Sequence, residues 1–165
     1  MNKLIIIRGN SGSGKSTIAR ELREAARNPK KVALVEQDYL RRIVLKEKET
    51  EGTKNIGLIE QTVTYALDKG YDVILEGILY SKRYQQMIRA LTKKADQSYI
   101  FYLDVTLEET LIRHKTKPNA HEFGEEEMRE WYKSKETIKR DLDFILPQSN
   151  SIQESVDKIQ MLTSI

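Results

Sequence analysis

Gly9-Asn10-Ser11-Gly12-Ser13-Gly14-Lys15-Ser16-Thr17 follows directly on Leu4-Ile5-Ile6-Ile7. The stretch satisfies G-x-x-x-x-G-K-[ST] at every fixed position. Its setting agrees: a short β-branched apolar run, a glycine-rich turn, then a helix-forming segment from Ser16 to Ala26. Such a strand–loop–helix unit wraps backbone N–H groups around a polyphosphate, and the helix N-terminus adds partial positive charge. Gly9, Gly12 and Gly14 allow tight turns and close approach to phosphate. Asn10, Ser11, Ser13 and Thr17 complete the cradle. Lys15 is expected to reach the β- and γ-phosphates of ATP, and the Ser16 hydroxyl to sit on Mg²⁺. A chance Gly/Ser turn before a lysine is the alternative, and the flanking strand and helix argue against it.

The bulk numbers agree with a compact enzyme-sized unit. The 165 residues suit one domain with one core. Hydrophobic residues make up 39% and charged residues 32%, the balance of a globular chain with a well-charged surface. The net charge of +3 is too mild to argue for nucleic-acid binding on electrostatics alone. Without cysteine there is no disulfide, thiol nucleophile or Cys-based metal site. The apolar run after Lys3 ends at Arg8, short of the roughly 7–15 residues of a secretory segment. No stretch approaches the ~20 apolar residues of a membrane span. A cytoplasmic location is the expectation.

Strand and helix patterns alternate along the chain, which predicts a parallel sheet covered by helices on both faces. The expected strands are Leu4–Arg8, Val32–Glu36, Asp72–Glu76, Ser98–Leu103 and Asp143–Leu146. The expected helices are Lys15–Arg27, Leu40–Lys48, Asn55–Lys69, Lys82–Lys94, Leu107–His114, Glu125–Lys139 and Ile152–Leu162. Asn28-Pro29, Gly70 and Pro147 punctuate them, and Thr106-Leu107-Glu108-Glu109 has the form of a capping box.

Several side chains outside the loop have the chemistry a phosphate-handling site needs. Val73-Ile74-Leu75-Glu76-Gly77 ends an apolar strand in a carboxylate, which would lie beside Ser16 if the two strands are neighbours and would serve Mg²⁺ directly or through water. A solvated strand-end acid is the plainer reading. Asp38 lies just past the end of the second strand, where ligands of open α/β sheets bind. A carboxylate there can take the proton of an acceptor hydroxyl, and Arg41 one turn on can hold the acceptor. Asp38 is equally suited to cap the helix that follows.

The cations of Leu111-Ile112-Arg113-His114-Lys115-Thr116-Lys117 read either as complements to a helix dipole or as a lid over about 113–125, with Arg113 and Lys117 closing on the nucleotide and neutralising charge in the transition state, Arg113 in a catalytic role. Tyr80 and Arg83 are candidates for the acceptor pocket, or begin an ordinary solvated helix. Met128, Trp131 and Tyr132 have the spacing of core packing, with an aromatic wall for an organic acceptor as the alternative. His114 and His121 read as surface residues.

These residues together carry a resemblance. The chain resembles the small P-loop kinases that include zeta toxins, chloramphenicol phosphotransferases and the 5′-kinase domain of phage polynucleotide kinase. Asp38-Tyr39-Leu40-Arg41 looks like their D-x-x-R element, which implies Asp38 as general base and Arg41 as acceptor-binding arginine. Leu107–Arg113 looks like the helix leading into their lid, with Arg113 at the lid arginine. Lys117 stands where such lids often carry a second arginine, and lysine cannot make the same bidentate contact. Glu122–Tyr132 looks like a signature of an uncharacterised ATP-binding subgroup. The resemblance implies a three-layer α/β/α P-loop NTPase fold with a five-stranded parallel sheet in order 2-3-1-4-5.

The expected activity is ATP-dependent transfer of a phosphoryl group to a hydroxyl of a small molecule, a nucleoside or nucleotide, or a nucleic-acid 5′ end. The weak net charge disfavours the last. The alternative is a nucleotide-binding regulatory module or an NTPase without an acceptor. A GTPase is disfavoured, since no N-K-x-D is present and Glu76-Gly77 does not follow D-x-x-G.

Overall fold

The computed structural model describes residues 1–48, 52–116, 124–138 and 143–165. The strands are β1 (Lys3–Gly9), β2 (Val32–Glu36), β3 (Asp72–Gly77), β4 (Gln97–Asp104) and β5 (Asp143–Pro147). The α-helices are α1 (Lys15–Ala25), α2 (Asn55–Asp68), α3 (Ser81–Lys94), α4 (Leu107–Lys115), α5 (Glu125–Trp131) and α6 (Ile152–Thr163). The strands form one parallel sheet in the order β2-β3-β1-β4-β5, as the resemblance implied. β1 is central, and its near-continuous apolar run follows from burial on both faces.

Alternation along β1 divides the core in two. Leu4 and Ile6 face a cluster with Ile59 and Val63 of α2 and Met87, Ile88 and Leu91 of α3. Ile5 and Ile7 face Ile18 and Leu22 of α1 and Val156 and Ile159 of α6. Local signals hold at the ends. Gly70, at φ +77°, closes α2 with its N–H on Leu67 and the Tyr71 N–H on Ala66, the paired bonds of a Schellman motif. The Thr106 hydroxyl accepts from the Glu109 N–H at 3.4 Å, but the reciprocal capping box is found at Ser151 and Glu154 of α6.

Two expected helices are corrected. Leu40–Lys48 is not an α-helix: Tyr39–Val44 forms a π-helical turn, with the Leu45 N–H bonded to the Leu40 carbonyl five residues back. There Arg41 is tied at both ends. Its guanidinium meets Asp38 and the Glu47 carbonyl, and its own carbonyl accepts from the Glu47 N–H. Glu125–Lys139 is not one helix either. It stops at Trp131: Tyr132 turns extended, and the Lys133 backbone groups are held by the side chain of Asn10. Lys117, His121 and most of the expected lid lie outside the described residues.

Candidate active site

The glycine-rich loop joins β1 to α1 in the middle of the sheet. Gly9, Gly12 and Gly14 all take positive φ, at +153°, +80° and +104°. At Gly12 a Cβ would also lie 2.7 Å from the Thr110 carbonyl oxygen, so backbone conformation and space both require glycine. The Ser13 N–H bonds the Asn10 carbonyl at 3.2 Å, and the Ile18 N–H bonds Gly14, which starts α1. Ser13 is buried, and its hydroxyl has no hydrogen-bond partner among the described residues. Thr17 is exposed in the first turn of α1.

Lys15 is not the solvated side chain a loop position suggests. It is buried, and its Nζ donates to the Asn10 carbonyl at 3.0 Å, across the mouth of the loop. Ser16 meets the neighbouring strand: its hydroxyl donates to Oε1 of Glu76 at 3.2 Å. The β1–β3 pairing, with Ile7 opposite Glu76, produces this contact. Glu76 is 3% exposed. Burial pushes its carboxyl above the ordinary value of 4.5. The Asp38 and Glu36 carboxylates push the same way, and the Lys15 ammonium and the Ser16 bond only partly offset them.

A hydroxyl and a carboxylate side by side are hard oxygen donors of the kind Mg²⁺ takes. Among the described residues no group of three or more His, Asp or Glu side chains could cage a metal. The pair therefore suits an ion that completes its shell with nucleotide oxygens and water.

A cleft of about 630 Å³ opens beside the first half of the loop. It takes in Gly9, Asn10 and Ser11 on the loop side and Asp38, Arg41, Tyr80 and Arg83 on the facing walls. Asp38 does not cap the following turn with its side chain. Its carboxylate is instead 59% exposed and paired with Arg41 at 2.7 Å.

The segment carrying Asp38 is fixed from beneath by a buried polar relay. Gln37 donates to the Tyr84 hydroxyl at 2.7 Å, accepts from the Leu79 N–H at 3.1 Å, and stands so close to Gly77 that a Cβ there would meet it at 2.3 Å. Asn55, fully buried at the start of α2, donates to the same hydroxyl. Leu79 is held at φ +44° between that bond and two from Arg8 to its carbonyl, a conformation that non-glycine residues adopt at a cost.

The third wall holds Trp131, for which the sequence offered an aromatic wall as the alternative, and a buried ion pair that sequence patterns did not flag. Arg8 is fully buried and pairs with Glu136 at 2.5 Å. Glu136 also accepts from the Ser81 N–H. The Asn10 side chain takes both backbone groups of one residue: its Oδ1 accepts from the Lys133 N–H at 2.9 Å and its Nδ2 donates to the Lys133 carbonyl at 2.8 Å. Trp131 and Lys133 thereby line the cleft. The expectation that Met128, Trp131 and Tyr132 pack in the core holds fully only for Met128; Trp131 is 42% exposed, and Tyr132 is partly buried with its hydroxyl on the Val105 carbonyl. The signal available in the sequence was Arg8, a charge inside an apolar strand that must find a buried partner.

Arg113 lies on the flank of the loop. Its guanidinium donates to the Ser13 carbonyl at 3.0 Å, to Glu109 at 2.7 Å and to the Gln148 carbonyl after β5 at 3.2 Å. It thus grips the loop through a carbonyl, whereas phosphate is met by the amides. His114 is buried rather than on the surface.

Solved structures share this architecture. The APS kinase CysC of Mycobacterium tuberculosis, solved with AMPPNP and APS, matches with a TM-score of 0.78 at 20% identity, over 99% of this chain and 98% of that one. A sugar kinase from Janibacter matches with a TM-score of 0.75 at 15% identity, over 100% and 96%. The tunicamycin resistance protein of Deinococcus radiodurans matches with a TM-score of 0.68 at 15% identity, over 99% and 97%. These likenesses are in fold. The comparison with curated proteins finds no match. The model of the family described as "AAA domain" matches residues 4–139, which span the phosphate loop, the Asp38 turn and the walls of the cleft, and the chain belongs to that family.

Proposed function

We propose that the protein transfers the γ-phosphoryl group of ATP to a hydroxyl of an acceptor bound in the cleft beside the phosphate loop. The observation that carries this reading is a juxtaposition. The loop's first half forms one wall of the cleft, and a carboxylate–arginine pair stands on the facing wall.

In the proposed reaction the loop amides and Lys15 hold the β- and γ-phosphates. Swinging from the Asn10 carbonyl to phosphate oxygens costs Lys15 one hydrogen bond and gives it charge-assisted ones. Ser16 and Glu76 would hold Mg²⁺, which neutralises charge on the phosphates. Asp38 accepts the acceptor's hydroxyl proton and aims its oxygen at the γ-phosphorus. One P–O bond forms to that oxygen, the bond from γ-phosphorus to the β–γ bridging oxygen breaks, ADP leaves, and Asp38 returns the proton to water. Arg41 orients Asp38 and holds the acceptor. Arg113 keeps the loop in shape from its outer side, and Lys117 is proposed as a second cation near the nucleotide. The sugar kinase and the APS kinase that share the fold support phosphoryl transfer as the type of reaction.

Incubation with γ-labelled ATP and a panel of hydroxyl compounds tests the reading. Label should pass to an acceptor with stoichiometric ADP release that depends on it. ADP release indifferent to every acceptor would leave an NTPase instead.

A further inference from the structure

We propose that Asn10 couples the phosphate loop to the cleft wall at 131–136, so that a nucleotide seated in the loop orders the surface an acceptor meets. The coupling itself needs only that nucleotide binds; its use in catalysis rests on the phosphotransferase reading.

Asn10 serves both sites at once. It follows Gly9 in the loop and is buried. Its backbone serves the loop: the carbonyl accepts from the Ser13 N–H at 3.2 Å and from Lys15 Nζ at 3.0 Å. Its side chain serves the wall, holding the Lys133 N–H at 2.9 Å and the Lys133 carbonyl at 2.8 Å. Trp131, Lys133 and Glu136 of that wall line the cleft.

The other bonds to the wall come from the sheet. Arg8 in β1 pairs with Glu136. Tyr102 in β4 accepts from the Glu136 N–H at 3.2 Å and donates to the Lys133 carbonyl at 3.4 Å. β1 and β4 are paired along their length, so these two fasteners hold whether or not the loop is filled. Asn10 instead stands in the loop that the nucleotide occupies, and the wall follows the loop through it.

Lys15 makes the connection responsive. In this structure it steadies the Asn10 carbonyl. When Lys15 turns to the phosphates, loop amides bonded to phosphate oxygens steady the same backbone more firmly, because hydrogen bonds to an ion are the stronger ones. A steadier Asn10 backbone keeps its side chain, and with it the Lys133 backbone, in one place. Order passes between sites in this way without a large rearrangement. By linkage, a ligand that orders the wall tightens nucleotide by the same factor. Each substrate thereby prepares the site of the other.

The Lys133 amide is the reporter, since its N–H must leave Asn10 Oδ1 before it exchanges with water. Its exchange rate is followed by NMR, without nucleotide and with saturating Mg²⁺ and AMPPNP. AMPPNP should slow exchange ~5-fold or more, the low end of a typical coupling between sites. Asn10→Ala should speed exchange ~5-fold or more without nucleotide, the scale of a lost hydrogen bond. At AMPPNP levels shown by titration to saturate it, the variant should also lose the slowing. An Asn10 that merely supports the wall would give the first change with no response to nucleotide in the parent. Lys15→Met supplies a test that needs no nucleotide. It leaves the Asn10 side chain in place, yet Lys133 exchange should rise ~2-fold or more, the low end for one hydrogen bond.

The proposal is overturned if AMPPNP leaves Lys133 exchange unchanged in the parent, or if Lys15→Met exchanges at the parental rate. It is overturned too if Asn10→Ala keeps the full slowing, which would route the effect through direct contact or through Met128 beside Gly12. None of these measurements involves transfer. Coupling seen while no acceptor takes label would sink the phosphotransferase reading and leave the role of Asn10 standing.

Discussion

The phosphate loop and the cleft beside it adjoin at Gly9–Ser11, yet they are built in opposite ways. The loop is local. Its glycines, its lysine and its serine follow one another in sequence, and its internal bonds, Ser13 to Asn10 and Lys15 to Asn10, span a few residues. The cleft is assembled from the ends of β2 and β3, the start of α3 and the segment after α5. Its bonds span most of the chain: Arg8 reaches Glu136, and Asn10 reaches Lys133. A local cradle can recur unchanged wherever a nucleotide is bound. A cleft made of distant segments changes with any of them, so it is where one member of a fold acquires its own acceptor.

The largest effect should come from the local half. Lys15→Met removes the one loop cation and should cut transfer by ~10³-fold or more, in line with losing a principal phosphate-stabilising contact. Isothermal titration should show nucleotide affinity falling too, while far-UV circular dichroism stays parental. Normal affinity and rate in this variant would break the loop's half of the comparison.

The distant half should fail by a different route. Glu136→Ala leaves the Arg8 guanidinium buried without its counter-charge. Breaking a buried pair from one side costs about 3–5 kcal/mol, so the urea midpoint should drop steeply. A midpoint within experimental error of the parent would mean that the wall is not held by this pair.

The smallest effect probes the seam between the halves. Glu76 has a folded-state carboxyl value above its ordinary 4.5 because it is buried. The unfolded chain therefore ionises first, and the contribution of protonated Glu76, fully present below 4.5, is lost as pH rises through the folded value. Melting curves from pH 4 upward should show the parent losing stability relative to Glu76→Gln over that interval. Parallel curves would contradict it. Mg²⁺-dependent nucleotide binding should weaken in the same variant.

How much was legible in the sequence follows the same division. Gly9–Thr17 could be read because its chemistry lies in consecutive residues, and the sheet because apolar runs alternate with helical periods. Asp38 could be placed by its position after a strand, but not its environment: the capping role suggested by Asp followed by a helix gave way to a π-turn in which Arg41 claims the carboxylate. Trp131 at helical spacing reads as core, but the helix ends there, the next residues are held by Asn10 from across more than a hundred residues, and Trp131 is left exposed at the cleft. No spacing rule records a contact of that kind.

Asp38, the proposed acceptor of the hydroxyl proton, stands on the cleft wall that faces the loop. With a transferring acceptor in hand, the direct measurement is the single-turnover rate of label transfer in Asp38→Asn, taken at saturating Mg²⁺-ATP and acceptor. The side chain is exposed and caps nothing, and losing an exposed ion pair costs about 0–1 kcal/mol, so melting temperature and both affinities should stay near the parent. The rate should fall by ~10²-fold or more, the low end of what a positioned base supplies. A variant that folds, binds both ligands and transfers at the parental rate would contradict the account and make Glu76 the next carboxylate to replace.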